Sequence, residues 1–177
     1  MKKSYLLLLM PLLLAACTPK ASSDTATKAA ADVPNYPYKI KHPDYWMMDT
    51  SHANTMTALN ALKAFENMDT TGLKKAFADT LEFNYDGGKF KGPIAQFIKM
   101  TSEMATSMKG LKIDMKDWES VVSTDKKEEW VTLWYVQKWT DAKGKADSIS
   151  LVNDLQLKGG RIVKLDEYDM HFKMPQK

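Results

Sequence analysis

Glu128–Lys173 decides how the rest of this chain is read. The stretch opens with Glu128-Glu129-Trp130-Val131-Thr132-Leu133-Trp134-Tyr135-Val136-Gln137-Lys138-Trp139. It continues with Ser148-Ile149-Ser150-Leu151-Val152-Asn153-Asp154-Leu155-Gln156-Leu157 and then Arg161-Ile162-Val163-Lys164-Leu165-Asp166-Glu167-Tyr168-Asp169-Met170-His171-Phe172. Each run is rich in β-branched and aromatic residues and alternates with a period of two, the mark of a strand. Asp141–Lys145 separates the first pair, and the Gly159-Gly160 dipeptide separates the last pair as a hairpin turn. The block reads as a curved antiparallel sheet, with the earlier helices laid against it. The fold class is α+β.

In the first run Trp130, Thr132, Trp134 and Val136 share one face, and Val131, Leu133, Tyr135, Gln137 and Trp139 share the other. Both faces are largely apolar, which a sheet wetted on one side does not need. Either the chain covers both faces itself, or the second meets another protomer. In the second run Ile149, Leu151, Asn153, Leu155 and Leu157 fall together. In the third, Ile162, Lys164, Asp166, Tyr168, Met170 and Phe172 do so, opposite Val163, Leu165, Glu167, Asp169 and His171.

Upstream, Pro34–Trp46 is extended, because Pro37 and Pro43 lack donors and restrict the residues before them. Its aromatics Tyr36, Tyr38, Tyr45 and Trp46 are expected to fasten it to the body. A first helix is predicted from about Ser51 to Met68, with Asp49, Thr50 or Ser51 as cap and Met56, Leu59, Leu62 and Phe65 as its stripe, with Ala58 and Ala61 beside them. A second is predicted over Thr71–Asp79, with Asp69 or Thr70 as cap and Leu73, Ala76 and Phe77 buried. Leu81–Tyr85 and Lys89–Lys91 form a hairpin around Asp86-Gly87-Gly88. Pro93 opens a third helix that runs to about Gly110, with Ile94, Phe97, Ile98, Thr101 and Met108 on one face. Leu111, Ile113 and Met115 alternate with Lys112, Asp114 and Lys116, and then the phase slips at Asp117-Trp118. Such a slip predicts a β-bulge.

The order of elements, together with Leu157-Lys158-Gly159-Gly160-Arg161-Ile162-Val163-Lys164-Leu165-Asp166-Glu167-Tyr168-Asp169, resembles the NTF2-like superfamily in its SnoaL-like branch. Gly160-Arg161-Ile162-Val163 is similar to that superfamily's Gly-Lys-Ile-Val turn, and Phe77–Phe90 to its early Phe-x-x-Asp region. The resemblance spans about Asp49–Phe172. It implies a cone, in which three N-terminal helices pack on a strongly curved antiparallel sheet around a pocket. It also implies homodimers through the outer sheet face. Members include isomerases, cyclases, dehydratases and non-catalytic binding domains, so the fold does not choose the function.

If Ile162 is buried, as the resemblance implies, Asp166 shares its cavity and could act as a proton-transferring base. Tyr168 or Tyr135 could then donate to a developing enolate. Asp166 and Tyr168 are therefore the catalytic candidates, and Tyr135, Trp139, Asn153, Asp166 and Tyr168 the expected pocket. The plainer reading makes Asp166 part of a satisfied buried cluster, or the partner of Lys164 or Arg161. Trp118, Trp130, Trp134 and Trp139 could stack on a flat ligand, although strand spacing suits core or interface. No catalytic residue is carried over from the resemblance. His42, His52 and His171 are widely spaced and Cys17 is the lone cysteine, so no metal is expected. No phosphate-cradling or dinucleotide motif is present, and no cofactor is expected.

The N-terminus gives an address. Lys2 and Lys3 precede an apolar run, Tyr5–Ala16, too short for a comfortable membrane span. Leu14-Ala15-Ala16-Cys17 resembles a bacterial lipobox, which implies cleavage of residues 1–16 and acylation of Cys17. The alternative is an ordinary export signal with a chance cysteine. Acyl chains would hold the protein to a lipid bilayer without a spanning helix. Thr18 after the cysteine resembles the pattern sent to the outer membrane, facing the periplasm of a Gram-negative bacterium. Thr18–Val33 is poor in apolar residues and reads as a flexible tether completing a 17–33 linker. The folded domain is then 34–177.

The whole chain has 177 residues, 44% hydrophobic and 27% charged, with a formal charge of +3. Loss of Lys2 and Lys3 with the signal would bring that charge to +1. This balance suits a globular body and leaves no basic patch for nucleic acid. The expectation is an envelope domain that binds a small apolar or amphipathic ligand, or a protein partner. The alternative is an isomerase, cyclase or dehydratase with an inward Asp as base.

Overall fold

The computed structural model describes residues 35–40 and 44–170. The signal segment, Cys17 and the tether lie outside the described residues, as do His42, Pro43 and the end of the last run from His171 onward. Residues 35–39 group with an N-terminal unit and hold no helix or strand, and Tyr36 and Tyr38 are exposed there. Residues from Ile40 onward form the second unit, which carries the fold.

That unit contains β1 (Trp46–Met48), α1 (Ala53–Glu66), α2 (Thr70–Ala76), β2 (Phe77–Tyr85), β3 (Gly88–Pro93) and α3 (Ile94–Ala105). The long strands follow as β4 (Lys109–Ser123), β5 (Glu129–Thr140), β6 (Ala146–Lys158) and β7 (Arg161–Met170). All seven strands form one curved sheet in the order β1-β4-β5-β6-β7-β2-β3, and the three helices pack on it. Every neighbouring pair is antiparallel except β2 with β7, which is parallel. The returning hairpin β2–β3 is thus joined to the far side of the sheet by the chain's own end.

The inner face is built as the period of two requires. Val131, Leu133, Tyr135 and Gln137 of β5 are buried, as are Ile149, Leu151, Asn153, Leu155 and Leu157 of β6. Phe97 of α3 binds the helix layer to β2 and β3, with its ring centroid 5.5 Å from Phe77, 5.5 Å from Phe83 and 6.2 Å from Phe90. The second, outer face of β5 carries Trp130, Trp134 and Val136, half-buried on the single chain. Trp134 pairs across to Val152, and Val152 to Tyr168.

The helices differ from their predicted form in instructive ways. The inward face of α1 is Asn54, Thr55, Ala58, Ala61, Leu62 and Ala64, while Met56 is half exposed. Ala58, Ala61 and Leu62 are thus buried and Leu59 and Phe65 pack against the core as the stripe predicts, and Met56 departs from it. Helix α2 stops at Ala76, because Phe77 takes an extended backbone and begins β2. Asp69 is its cap, accepting from the backbone N–H of Thr71 and Gly72 at 3.0 Å each. This satisfies two of the donors a helix start leaves open. Helix α3 ends at Ala105, short of Gly110, and Pro93 sits at its N-cap.

Four register shifts interrupt the sheet, and two of them bear on the predicted strand phases. In β4 the register shifts between Met115 and Asp117, which leaves Lys116 without an opposite residue, where the phase slip predicts it. In β7 the pairs run Leu157 with Ile162, then Gln156 with Lys164, so Val163 is the extra residue. The second bulge has a physical cause. An uninterrupted hairpin from Lys158–Arg161 would set Lys164 opposite buried Leu155, and a lone ammonium in that layer is costly. The bulge sets Leu165 there instead.

Candidate functional site

Ala58 and Ala61 leave room between α1 and the sheet. The result is a cavity of about 400 Å³, within the range of small-molecule sites. Its wall is mostly apolar: Leu62 and Phe65 of α1, Phe83 and Tyr85 of β2, Phe97 and Met104 of α3, and Leu133, Tyr135, Trp139, Ile149, Leu151 and Leu165 of the sheet. The exposed lining residues Tyr85, Asp86 and Met104 mark where it opens.

One part of the wall is polar. Asn153 donates from Nδ2 to the Tyr135 hydroxyl at 3.0 Å, and both side chains are buried. Glu167 stands directly opposite Asn153 in the ladder, and Asp169 opposite Leu151. Burial pushes the Glu167 carboxyl above the usual carboxylate range; the Asn153 amide partly offsets this, and the Asp169 charge adds to it. Burial, then the Glu167 charge, pushes the Tyr135 hydroxyl well above its ordinary value. Glu167 has no ion-pair partner among the described residues. The Asn153 Oδ1 is buried and accepts no hydrogen bond.

Tyr135, Trp139 and Asn153 all line this cavity. Asp166 and Tyr168 do not. The Val163 bulge turns the parity of β7, so that Ile162, Leu165, Glu167 and Asp169 look inward and Asp166 and Tyr168 look away. Asp166 accepts from Asn84 Nδ2 and, at 2.6 Å, from Lys164 Nζ, and Tyr168 is 58% exposed. The two line a more open adjoining pocket with Asn84 and Gly87, which shares Tyr85, Asp86, Glu167 and Asp169 with the cavity. The inward carboxylate opposite Asn153 is thus Glu167, one residue along from Asp166. The signal for it was present: an unbroken β6–β7 hairpin buries Lys164 opposite Leu155. Trp130 carries the Lys164 ammonium 5.4 Å from its ring centroid, on the outer face, and Trp118 is half exposed. Of the four sheet tryptophans considered as stacking platforms, Trp139 is the one in the cavity wall. Among the described residues, no three His, Cys, Asp or Glu side chains converge as a metal-ion set.

No protein-family model and no curated protein matches the sequence. Solved structures do match the fold. An NTF2-like protein of unknown function from Burkholderia pseudomallei superposes with a TM-score of 0.55 at 15% identity, over 66% of this chain and 89% of its own. This chain has the NTF2-like fold. An LEH-like epoxide hydrolase from M. tuberculosis matches with a TM-score of 0.55 at 14% identity, over 69% of this chain and 86% of its own. IdmH from Streptomyces antibioticus, a proposed polyketide cyclase, matches with a TM-score of 0.54 at 14% identity, over 66% and 91%. NTF2-like neighbours therefore include enzymes and proteins without known activity. Identities this low transfer the fold and no residue roles.

Proposed function

We propose that the folded body binds one small, mostly apolar molecule in the cavity between α1, α3 and the sheet. The observation that carries this reading is the cavity's construction. Two alanines on α1 hold open a space that leucines would fill, and most of its wall is aromatic or aliphatic. A single polar cluster, Tyr135–Asn153–Glu167–Asp169, offers the directional contacts that orient a ligand in such sites. The lipobox-like Leu14-Ala15-Ala16-Cys17 supports a tethered version of this binder in the cell envelope, held to the bilayer by acylated Cys17. Self-association through the outer face around Trp130, Trp134 and Val152 would give that apolar strip a cover.

Native mass spectrometry of the chain purified from its own host tests the binder. The expected spectrum shows a bound species of a few hundred daltons that is absent from an Ala61→Phe variant, whose phenyl group occupies the space. Identical spectra for the two proteins contradict the reading. The same spectra report whether the chain is a dimer.

A second reading has one observation of its own. Glu167 is an inward carboxylate held above its usual range beside a buried tyrosine hydroxyl. This is the arrangement a general base and a hydrogen-bond donor need for proton transfer next to a carbonyl. In that reading Glu167, rather than Asp166, takes the proton. Glu167→Gln would then abolish turnover of an enolisable substrate without weakening its binding.

A further inference from the structure

Among the described residues, the charged side chains that line the cavity are all acidic. Asp86, Glu167 and Asp169 line it, and no Lys, Arg or His among the described residues does. The Asn153 Oδ1 adds a buried acceptor with no donor among the described residues, while its Nδ2 gives an N–H to Tyr135 and lies beside Glu167. Glu167 and Asn153 are cross-strand neighbours, so the two acceptors belong to one patch of wall. The surrounding surface is aromatic, from Phe83, Tyr85, Tyr135 and Trp139, and ring faces attract a cation. An anionic ligand would meet repulsion here. A neutral apolar one would leave the acceptors unanswered, which is unfavourable in a buried site.

We propose that the cavity selects an organic cation: a protonated amine on an apolar body, its N–H groups directed at Glu167 and Asn153 and its body against the aromatic wall. The inference rests on the binding reading above and narrows it to a ligand class. Among the described residues the carboxylates do not converge as a metal site, which favours an organic cation over a divalent ion. Burial holds Glu167 toward its neutral form, and an ammonium beside it would reverse that preference. Amine affinity should therefore rise with pH as Glu167 loses its proton, then fall once the amine loses its own. Among the described residues, the charged or titratable groups that line the cavity with Glu167 are Tyr135 on β5, Asp169 on β7, Tyr85 on β2 and Asp86 in the β2–β3 turn, of which Asp169 and Tyr135 interact with it. The cavity-lining parts of α1, α2 and α3 contribute none.

The test is isothermal calorimetry on the full chain in nanodiscs, with empty nanodiscs subtracted. Three probes share one ring system: 1-naphthylmethylamine, 1-naphthalenemethanol and 1-naphthoate. At pH 8 the amine should bind at least tenfold more tightly than the alcohol, and the carboxylate should give no measurable heat. Glu167→Gln should abolish the amine's tenfold advantage over the alcohol. Its amine affinity should also lose the rise with pH. Equal affinities for amine and alcohol, or an amine preference that survives Glu167→Gln, would overturn the cation assignment and leave the binding reading standing. No heat from any of the three would bring down both.

Discussion

Glu167 occupies a poor place for a charge and has no ion-pair partner among the described residues. A carboxyl whose folded pKa lies above its unfolded value binds more protons in the native state. Stability then falls as pH rises from the unfolded value, about 4.3 for glutamate, through the folded one. Glu167→Gln removes that cost. The expected result is a higher melting temperature than wild type at pH 8, with the gain closing toward zero near pH 4, read by circular dichroism. A variant less stable than wild type at both pH values would show that the ionised carboxylate supports the fold. Tyr135 is held to a different standard, because its hydroxyl is the acceptor for a buried amide. Tyr135→Phe would remove the one buried hydroxyl that accepts from the Asn153 amide. The expected loss is about 1–3 kcal/mol in urea unfolding.

Among the elements, α3 is anchored through Phe97 and its three aromatic neighbours. Phe97→Ala should cost about 3–5 kcal/mol, the usual range for emptying a core aromatic position. A cost under about 1 kcal/mol would mean that the site collapses around the gap. Most elements of this fold were legible from periodicity. The three long strands, the β2–β3 hairpin and the Lys116 bulge lie where alternation and its slip predict them. Other features were not, for stated reasons. In α1 only Met56 departs from the predicted stripe, apolar yet half exposed, and the buried Asn54 and Thr55 carry no apolar signal. The parallel pairing of β2 with β7 joins segments far apart in sequence, and local pattern says nothing of such contacts. The site was half legible. Tyr135, Trp139 and Asn153 follow from the phase of β5 and β6. Asp166 was placed inward because Ile162 set the phase, and one extra residue, Val163, reverses everything after it.

The whole domain places its ionisable groups in two opposing sets. Asp125 is held down to about 2, first by the Ser123 hydroxyl at 2.7 Å and then by the Lys127 backbone N–H. Glu66 is lowered by Lys63 at 2.6 Å and, despite its burial, by the Ile113 N–H, tying α1 to β4. Carboxyls with lowered folded values contribute stability that is present above their unfolded range and lost as pH falls through the folded one. Urea midpoints should therefore drop steadily from about pH 5 toward pH 2. An unchanged midpoint across that interval would contradict the role of these groups. For the tethered molecule, Cys17→Ser should move the protein from the membrane to the soluble fraction of fractionated cells, and a variant still at the membrane would refute the acyl anchor.

The central claim is that the space behind Ala58 and Ala61 receives a ligand. Calorimetric titration of neutral 1-naphthalenemethanol tests it most directly, using wild type, Ala61→Phe, and Trp134→Ser on the outer face. The account predicts one molecule bound per chain in wild type and in Trp134→Ser, and none in an Ala61→Phe protein that keeps its circular dichroism spectrum. Binding that survives Ala61→Phe, or that disappears with Trp134→Ser alone, would contradict it.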